Sequence, residues 1–215
     1  MHIMNAKDCI SPLLPTAAAS VLGYPSEWVE PVLLDGGARL RVRPVLPEDD
    51  ALERIFIAQG LTQQSRYLRF QVGMAQLPET VLYGFTHIDY DNHFALIAEV
   101  CGPDGPVQIG DARFVRDGDD ALAAEFGIAV ADAWQGKGIG RLLLKRLIQA
   151  ADEHGVQRLY GDVLRGNRGM TELAKAEGFT PQRHPNDATL VRMVRLAADQ
   201  AETLPPAADK ALRTV

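Results

Sequence analysis

The sequence predicts an α/β domain with a mixed, mostly antiparallel sheet and helices on both of its faces. An apolar, strand-like run at residues 126–130 leads into a glycine-rich turn at 135–140, and an amphipathic helix follows. Two more strand-like runs, at 93–100 and 107–116, flank a Gly-Pro turn and predict an antiparallel hairpin. With 215 residues and 47% hydrophobic composition, the chain can bury one full core.

Three segments are expected along the chain. Residues 1–36 are predicted to be an N-terminal extension, because prolines interrupt any long helix there. These prolines are Pro12, Pro15, Pro25 and Pro31. The domain itself is expected to span 37–196. The Ala- and Pro-rich tail at 197–215 is expected to be either a partly ordered helix or disordered.

The first half of the domain begins with a turn signal, Asp35-Gly36-Gly37, and a strand at 39–43 whose residues alternate between polar and apolar. Helices are expected at 50–60 and at 77–84, ahead of the hairpin.

The second half alternates helices and strands. A helix at 138–154 has its apolar residues on one side, and Gly155 suits its C-terminal cap. A strand at 158–164 follows. Asn167 can cap a helix that runs to residue 177. The last strand is expected at 189–196.

The glycine-rich turn is predicted to bind a pyrophosphate. Backbone amides at a helix start are unpaired and carry the positive end of the helix dipole, and glycines let phosphate oxygens approach them. The alternative is a turn that has no ligand. The dinucleotide pattern G-x-G-x-x-G fails because its last position is Arg141, and no glycine here precedes Lys-Ser or Lys-Thr as a P-loop requires.

The turn does match Q-x-x-G-x-G, and it resembles the coenzyme A loop of the GNAT superfamily of N-acetyltransferases. The elements after the turn come in a similar order: helix, strand, Asn-initiated helix, Gly-Phe, strand. The resemblance implies a sheet split by an acetyl-CoA site. The loop residues that it implies as coenzyme contacts are Gln135, Gly136, Lys137, Gly138, Ile139, Gly140 and Arg141.

Other coenzyme contacts are implied outside the loop. In the superfamily the asparagine touches the coenzyme, which implies this role for Asn167, although capping alone would also explain an Asn there. The strand before the loop should splay from its neighbour after a bulge, for which Gly127 is suited. The backbone of Ile128, Ala129 and Val130 would then bind the pantothenate arm like an added strand.

Glu125, at the start of that strand, is the candidate general base. A lysine amine, with a free pKa of about 10.4, is mostly protonated at neutral pH and cannot attack a thioester until it loses a proton. A carboxylate in a mostly apolar cleft can accept that proton directly or through water, and the resemblance implies this role for Glu125. The alternative is an ordinary solvent-facing Glu. His87, Asp89 and Tyr90 are the next candidates.

The sequence departs from the family pattern at the general acid. Many members have a Tyr four residues before the Gly of Gly-Phe, where this chain has Ala174. The nearest phenol in sequence is Tyr160, so no general acid is assigned. Coenzyme A can leave as a thiolate, since thiol pKa values are about 8.5.

Residues 32–196 resemble more closely the domain of bacterial Pat-type protein lysine acetyltransferases. The resemblance is carried by Val42-Arg43-Pro44, by the run from Ser65 to Phe70, by Thr86 to Tyr90, and by Ala131 to Gln135. It implies a protein lysine as acceptor, for example on an acyl-CoA synthetase. The run from Ser65 to Phe70 is either a turn of amphipathic helix, with Tyr67, Leu68 and Phe70 packed inward, or a substrate gate.

Composition excludes several other classes of protein. A net charge of −6 and a pI near 5.4 argue against nucleic acid or an anionic membrane as the main partner. There is no apolar run of membrane-spanning length and no secretory signal, and the two cysteines, Cys9 and Cys101, fit reduced thiols in the cytoplasm. The five histidines form no ligand cluster in sequence, so no metal is expected.

The sequence therefore predicts an acetyl-CoA-dependent N-acetyltransferase that acts by direct attack, most simply on a protein lysine. Two alternatives stay open. One is an acetyltransferase of small amines, for which a narrow acidic pocket beside Glu125 would be expected instead of an open groove. The other is a sensor that binds acyl-CoA without turnover.

Overall fold

A computed structural model describes residue 18, residues 21–71 and residues 77–197. One eight-stranded sheet forms the centre of the molecule. Its strands are β1 (Glu30–Leu33), β2 (Arg39–Pro44), β3 (His93–Gly102), β4 (Gly105–Arg116), β5 (Ala123–Val130), β6 (Arg158–Leu164), β7 (Thr180–Arg183) and β8 (Leu190–Leu196). The order across the sheet is β1-β2-β3-β4-β5-β6-β8-β7. Only β5 and β6 are parallel neighbours, and the other pairs are antiparallel. The predicted mixed, mostly antiparallel sheet is confirmed.

In the described part of the chain, five α-helices flank the sheet. They are α1 (Asp50–Ile55), α2 (Gln63–Phe70), α3 (Glu79–Thr86), α4 (Ile139–Glu153) and α5 (Arg168–Ala176). The helix expected at 50–60 is present, but its second half, Phe56–Gly60, is a π-helical turn. The predicted hairpin is β3 and β4, which pair up to Gly102 and Gly105 at its turn.

The helices cover both faces of the sheet. Successive residues of a strand point to opposite faces, so two neighbouring residues of β4 show which helices lie on each face. On β4, Phe114 belongs to the core that also contains the fully buried Leu143 of α4. Full burial of such a side chain stabilises the fold by about 1.5–3 kcal/mol. The preceding residue, Arg113, faces the other side, where it donates hydrogen bonds to Glu53 of α1 and to the carbonyl of Phe85 in α3. Helices α1 and α3 therefore lie opposite α4.

The two strands that the sequence did not predict are the edges of the sheet. Strand β1 contains Pro31, and β7 contains Pro181. Proline lacks an N–H to donate, so it is tolerated on an edge strand but not in the middle of a sheet. In a sequence, a proline therefore argues against a strand. Strand β1 also lies before residue 37 and pairs with β2, so the sheet begins inside the segment expected to be an extension. The boundary at 37 itself stays a prediction.

Residues just before β1 also pack on the sheet. The ring of Trp28 lies 5.5 Å from that of Phe94, and the Tyr24 hydroxyl donates to the carbonyl of Pro44 at 3.1 Å. Cys9, Pro12, Pro15 and the tail after residue 197 lie outside the described residues. Within the described parts of the chain, none of the helices has the length and apolar character needed to cross a membrane. Over the same residues, no group of His, Cys, Asp and Glu side chains could hold a metal ion.

Candidate active site

An opening in the sheet begins where β5 and β6 separate. Residues 123–125 of β5 pair with 158–160 of β6, and the two strands diverge after Glu125. From there to Val130, β5 has a hydrogen-bonded neighbour only on its β4 side among the described strands. Its free edge can accept an extended ligand as if it were an added strand. The strand thus splays as the sequence predicted.

The expected bulge at Gly127 is wrong. The register between β4 and β5 runs unbroken through this position, where Gly127 lies opposite Arg113. The reason for glycine is a close approach by Arg69 of α2. A Cβ atom at position 127 would lie 2.6 Å from Nη1 of Arg69, far inside van der Waals contact. Glycine here makes room for a guanidinium group.

A cavity of about 350 Å³ fills the opening. Its walls come from β5, β6, α2, α5 and the loop before α4. The sequence-predicted site residues in its lining are Glu125, Ile128, Ala129, Val130, Gln135, Gly136, Gly140 and Asn167. Lys137, Gly138, Ile139 and Arg141 are not part of the lining.

The loop before α4 has the conformation expected of a phosphate cradle. Gly136 and Gly138 have φ of +72° and +84°, in the left-handed region that favours glycine. The amides of the first turn of a helix have no acceptor within the helix. In the described structure no side chain caps α4 at Gly138 either, so these amides are available to a ligand. The side-chain amide of Gln135 donates to the carbonyl of Val130 at 3.1 Å and ties the loop to the end of β5.

Three of the predicted loop residues direct their side chains away from the cavity. The ammonium group of Lys137 lies 4.5 Å from the centre of the Trp134 ring, in a cation–π contact. Ile139 is buried in the core, and Arg141 donates to Glu177 at 2.6 Å. These contacts hold the side chains of Lys137, Ile139 and Arg141 outside the cavity in the structure.

Asn167 combines the two roles that the sequence left open. Its side-chain oxygen accepts a hydrogen bond from the amide of Met170 at 3.1 Å, which caps α5. The same side chain belongs to the cavity wall. Its amide nitrogen has no hydrogen-bond partner in the described ranges, so it can donate to a ligand.

Glu125 presents an unpaired carboxylate to this cavity. The residue is exposed, and none of its oxygens is hydrogen-bonded within the described chain. Its pKa is raised, first because surrounding protein displaces water and then because Asp162 carries a like charge. Arg192 and Arg69 act in the opposite direction. A carboxylate with a raised pKa and free lone pairs is suited to accept a proton.

Asp162 is held firmly by its neighbours. Arg192 donates to both of its carboxylate oxygens, at 2.8 and 2.7 Å. His184 lies 3.1 Å away through Nε2, while its Nδ1 accepts from the amides of Asn186 and Asp187. Because Nδ1 is an acceptor, the hydrogen sits on Nε2 and is donated to Asp162.

The other positions that the sequence analysis considered for an acid or a base lie outside the cavity. Asp89 accepts the amides of its own turn, and Tyr90 donates to the carbonyl of Val45 at 2.8 Å. Ala174 is buried. Tyr160 donates to Asp117 at 3.1 Å, and burial raises its pKa to about 12. None of these residues lines the cavity.

The run from Ser65 to Phe70 is helical, as one of the two hypotheses expected. Tyr67 does not pack inward, since 44% of its surface is exposed. Sequence reasoning missed the role of Arg69 in the cavity. The signal that could have found it is Gly127, two residues after Glu125, since an isolated glycine in a strand marks close approach by another group.

Known proteins resemble this chain over the whole site. The model of the Acetyltransferase (GNAT) family matches residues 65–179, from before Arg69 to beyond Asn167. An acetyltransferase of Pseudomonas aeruginosa is 33% identical over 177 residues, covering 82% of this chain and 91% of the relative. The acetyltransferase Pat of Mycolicibacterium smegmatis is 38% identical over 144 residues, which are 66% of this chain but 42% of Pat.

Solved structures agree with the sequence relatives. The crystal structure of the GNAT domain of S. lividans PAT matches with a TM-score of 0.74 and 29% identity. The match covers 81% of this chain and 99% of that domain. The predicted resemblance to Pat-type domains is confirmed, and so is the prediction of an acetyl-transferring enzyme. The chain belongs to the acetyltransferase (GNAT) family.

Proposed function

We propose that this enzyme moves an acetyl group from acetyl-CoA to the side-chain amine of a protein lysine, with Glu125 as general base. The observation that carries the proposal is the free carboxylate of Glu125 at the point where β5 leaves β6. It lies in one cavity with a glycine-rich helix start.

The lining of the cavity supports this proposal, because it offers groups for each part of the coenzyme. The pyrophosphate would lie on the amides of residues 135–141, where Gly138 leaves open space in place of a Cβ. The pantothenate arm would run along the free edge of β5 at 128–130. The amide nitrogen of Asn167 would be a further donor. In this binding mode the acyl end of the coenzyme would point toward Glu125.

Glu125 would act on the acceptor amine. A lysine with a pKa of about 10.4 is neutral in only about one molecule in 2,500 at pH 7, so a base beside it is worth a large factor in rate. Transfer of the amine proton to a positioned carboxylate contributes about 10²–10⁴-fold. Binding both reactants in one opening supplies further acceleration without a covalent intermediate.

The charges around Glu125 favour a protein lysine over a polycation. Glu125 and Asp162 are balanced by Arg69 and Arg192 in the same neighbourhood. A site for a polyamine would need a surplus of acidic groups. The resemblance to Pat-type domains points the same way, with an acyl-CoA synthetase as the natural first partner to try.

The proposal is tested by acetyl-CoA turnover against purified acyl-CoA synthetase and against a polyamine, an aminoglycoside and a set of amino acids. We expect the synthetase to be acetylated on lysine with the highest kcat/KM, and synthetase whose lysines are chemically blocked to be inert. A higher kcat/KM for a small amine would mean that the acceptor is that amine and not a protein lysine. Binding of acetyl-CoA without turnover on any amine would mean that the protein is a sensor and not an enzyme.

A further inference from the structure

Among the described residues that line the cavity, Arg69 is the one with a cationic side chain. The mechanism proposed above gives it no role. It lies near the C-terminal end of α2, and its guanidinium covers the Cα of Gly127. Any side chain at 127 would collide with it. The sequence thus keeps a bare backbone position so that this charge can reach the opening in the sheet.

The guanidinium has no acceptor within the described chain. Its Nε is buried without a hydrogen-bond partner, and the nearest carboxylate oxygen, on Asp111, is 3.9 Å from Nη2. Asp111 does not depend on Arg69, because Arg113 already donates to both of its oxygens. The two Nη groups are not among the buried atoms, they make no hydrogen bond in the described chain, and their side chain lines the cavity, so they are the donors that a ligand can reach.

Arg69 and Glu125 lie beside the same short stretch of β5. Glu125 and Gly127 are two residues apart and so face the same side of the sheet, about 6.6 Å from one another along the strand. A proton acceptor and a cation therefore flank the place where an amine and a thioester would meet.

We propose that Arg69 is a catalytic residue that donates hydrogen bonds to the acyl oxygen of acetyl-CoA during transfer. The idea rests on the function proposed above. The amine lone pair attacks the acyl carbon, and the electrons of the C=O bond move to its oxygen, where Arg69 stabilises the negative charge. The C=O bond then reforms, the C–S bond breaks, and coenzyme A leaves as a thiolate that takes a proton from water. The ammonium group loses one proton before the attack, and this proton passes through Glu125 to water. The nitrogen of the adduct then gives a second proton to Glu125 as the C–S bond breaks.

The direct test measures kcat of R69M and R69K with an acceptor that wild type acetylates. Loss of one donor to a developing oxyanion lowers kcat by about 10²–10³-fold, and we expect this loss in R69M, with R69K between it and wild type. R66M is the matched control. Arg66 is on the same helix but bonds the carbonyls of Ile57, Ala58 and Leu61 instead of lining the cavity. It should lower the melting temperature and leave kcat near that of wild type.

A second readout does not depend on turnover. The carbonyl stretch of acetyl-CoA labelled with ¹³C at the acyl carbon should lie at a lower frequency when bound to wild type than when bound to R69M, because hydrogen bonds weaken the C=O bond. Equal frequencies in the two proteins, or a kcat in folded R69M within a few-fold of wild type, would overturn the proposal. If wild type acetylates no amine, the proposed function itself is wrong. If wild type is active and R69M has the same kcat and carbonyl frequency, only the role of Arg69 is wrong.

Discussion

At the scale of single residues, the account depends on how its neighbours set the proton affinity of Glu125. Displacement of water by the surrounding protein and the charge of Asp162 raise its pKa, whereas Arg192 and Arg69 lower it. Tyr160 and Asp117 are the other titratable groups nearby. A general base works only when deprotonated, so the rate should rise with pH through the pKa of Glu125.

The first prediction is that D162N and R192M shift this acid limb in opposite directions. D162N removes a like charge and frees Arg192, so the pKa of Glu125 falls and the limb of kcat/KM moves to lower pH. R192M removes a cation and moves the limb to higher pH. Profiles of kcat/KM against pH for wild type, D162N and R192M measure these shifts. Shifts of the same sign in both variants would rule out Glu125 as the titrating base.

The second prediction concerns the double role of Asn167. N167A should lower the free energy of unfolding by about 1 kcal/mol through the lost cap and also weaken acetyl-CoA binding modestly. Thr62 offers a matched control, since it caps α2 by accepting from the amide of Ser65 at 3.2 Å and does not line the cavity. T62A should lose comparable stability with unchanged affinity. If N167A behaves in calorimetric titration like T62A, Asn167 is a cap only.

At the scale of elements, the loop before α4 is defined by its backbone. Gly138 sits at φ +84°, and a Cβ there would point into open space where the phosphates are proposed to bind. The third prediction is that G138V loses acetyl-CoA affinity by at least tenfold. Gly155, with φ +71° at the far end of α4, controls for backbone strain. G155V should be destabilised similarly but bind normally, and normal binding by folded G138V would refute the cradle.

Local patterns predicted the central elements well. The strand at 158–164, the hairpin and the helix after the glycines follow from periodicity and turn residues. Strands β1 and β7 could not be found this way, because their support comes from a single neighbouring strand and each contains proline. The motif residues Glu125, Gln135 and Asn167 meet in one cavity because short connections place them there.

At the scale of the whole molecule, the parts missed by sequence reasoning are contacts between distant segments. Arg69 comes from α2 and Arg192 from the last strand, and only the packing of the sheet brings them near Glu125. Beneath the cavity, Glu53, Arg113 and Asp111 form a buried ionic cluster that no periodicity reveals.

A histidine next to this cluster makes stability depend on pH. His93 lies beside Arg113, and burial followed by that positive charge lowers the pKa of His93 to about 4. An unfolded His binds a proton below about pH 6.5, so between pH 6.5 and 4 the unfolded state binds more protons at this position, and the contribution of His93 to stability falls as pH falls. The fourth prediction is that wild type loses on the order of 2 kcal/mol more than H93Q across this window. Urea unfolding at several pH values measures it, and parallel curves for the two proteins would contradict it.

The most direct test of the whole account is the turnover of E125Q on the acceptor that wild type prefers. The swap keeps the size of the side chain and removes only the proton acceptor. We expect kcat at pH 7 to fall by about 10²–10⁴-fold while acetyl-CoA affinity and melting temperature stay at wild-type values. The deficit should shrink at high pH, where more of the acceptor amine is already neutral. Near-normal turnover of E125Q at pH 7 would contradict the account and move the base away from the split in the sheet.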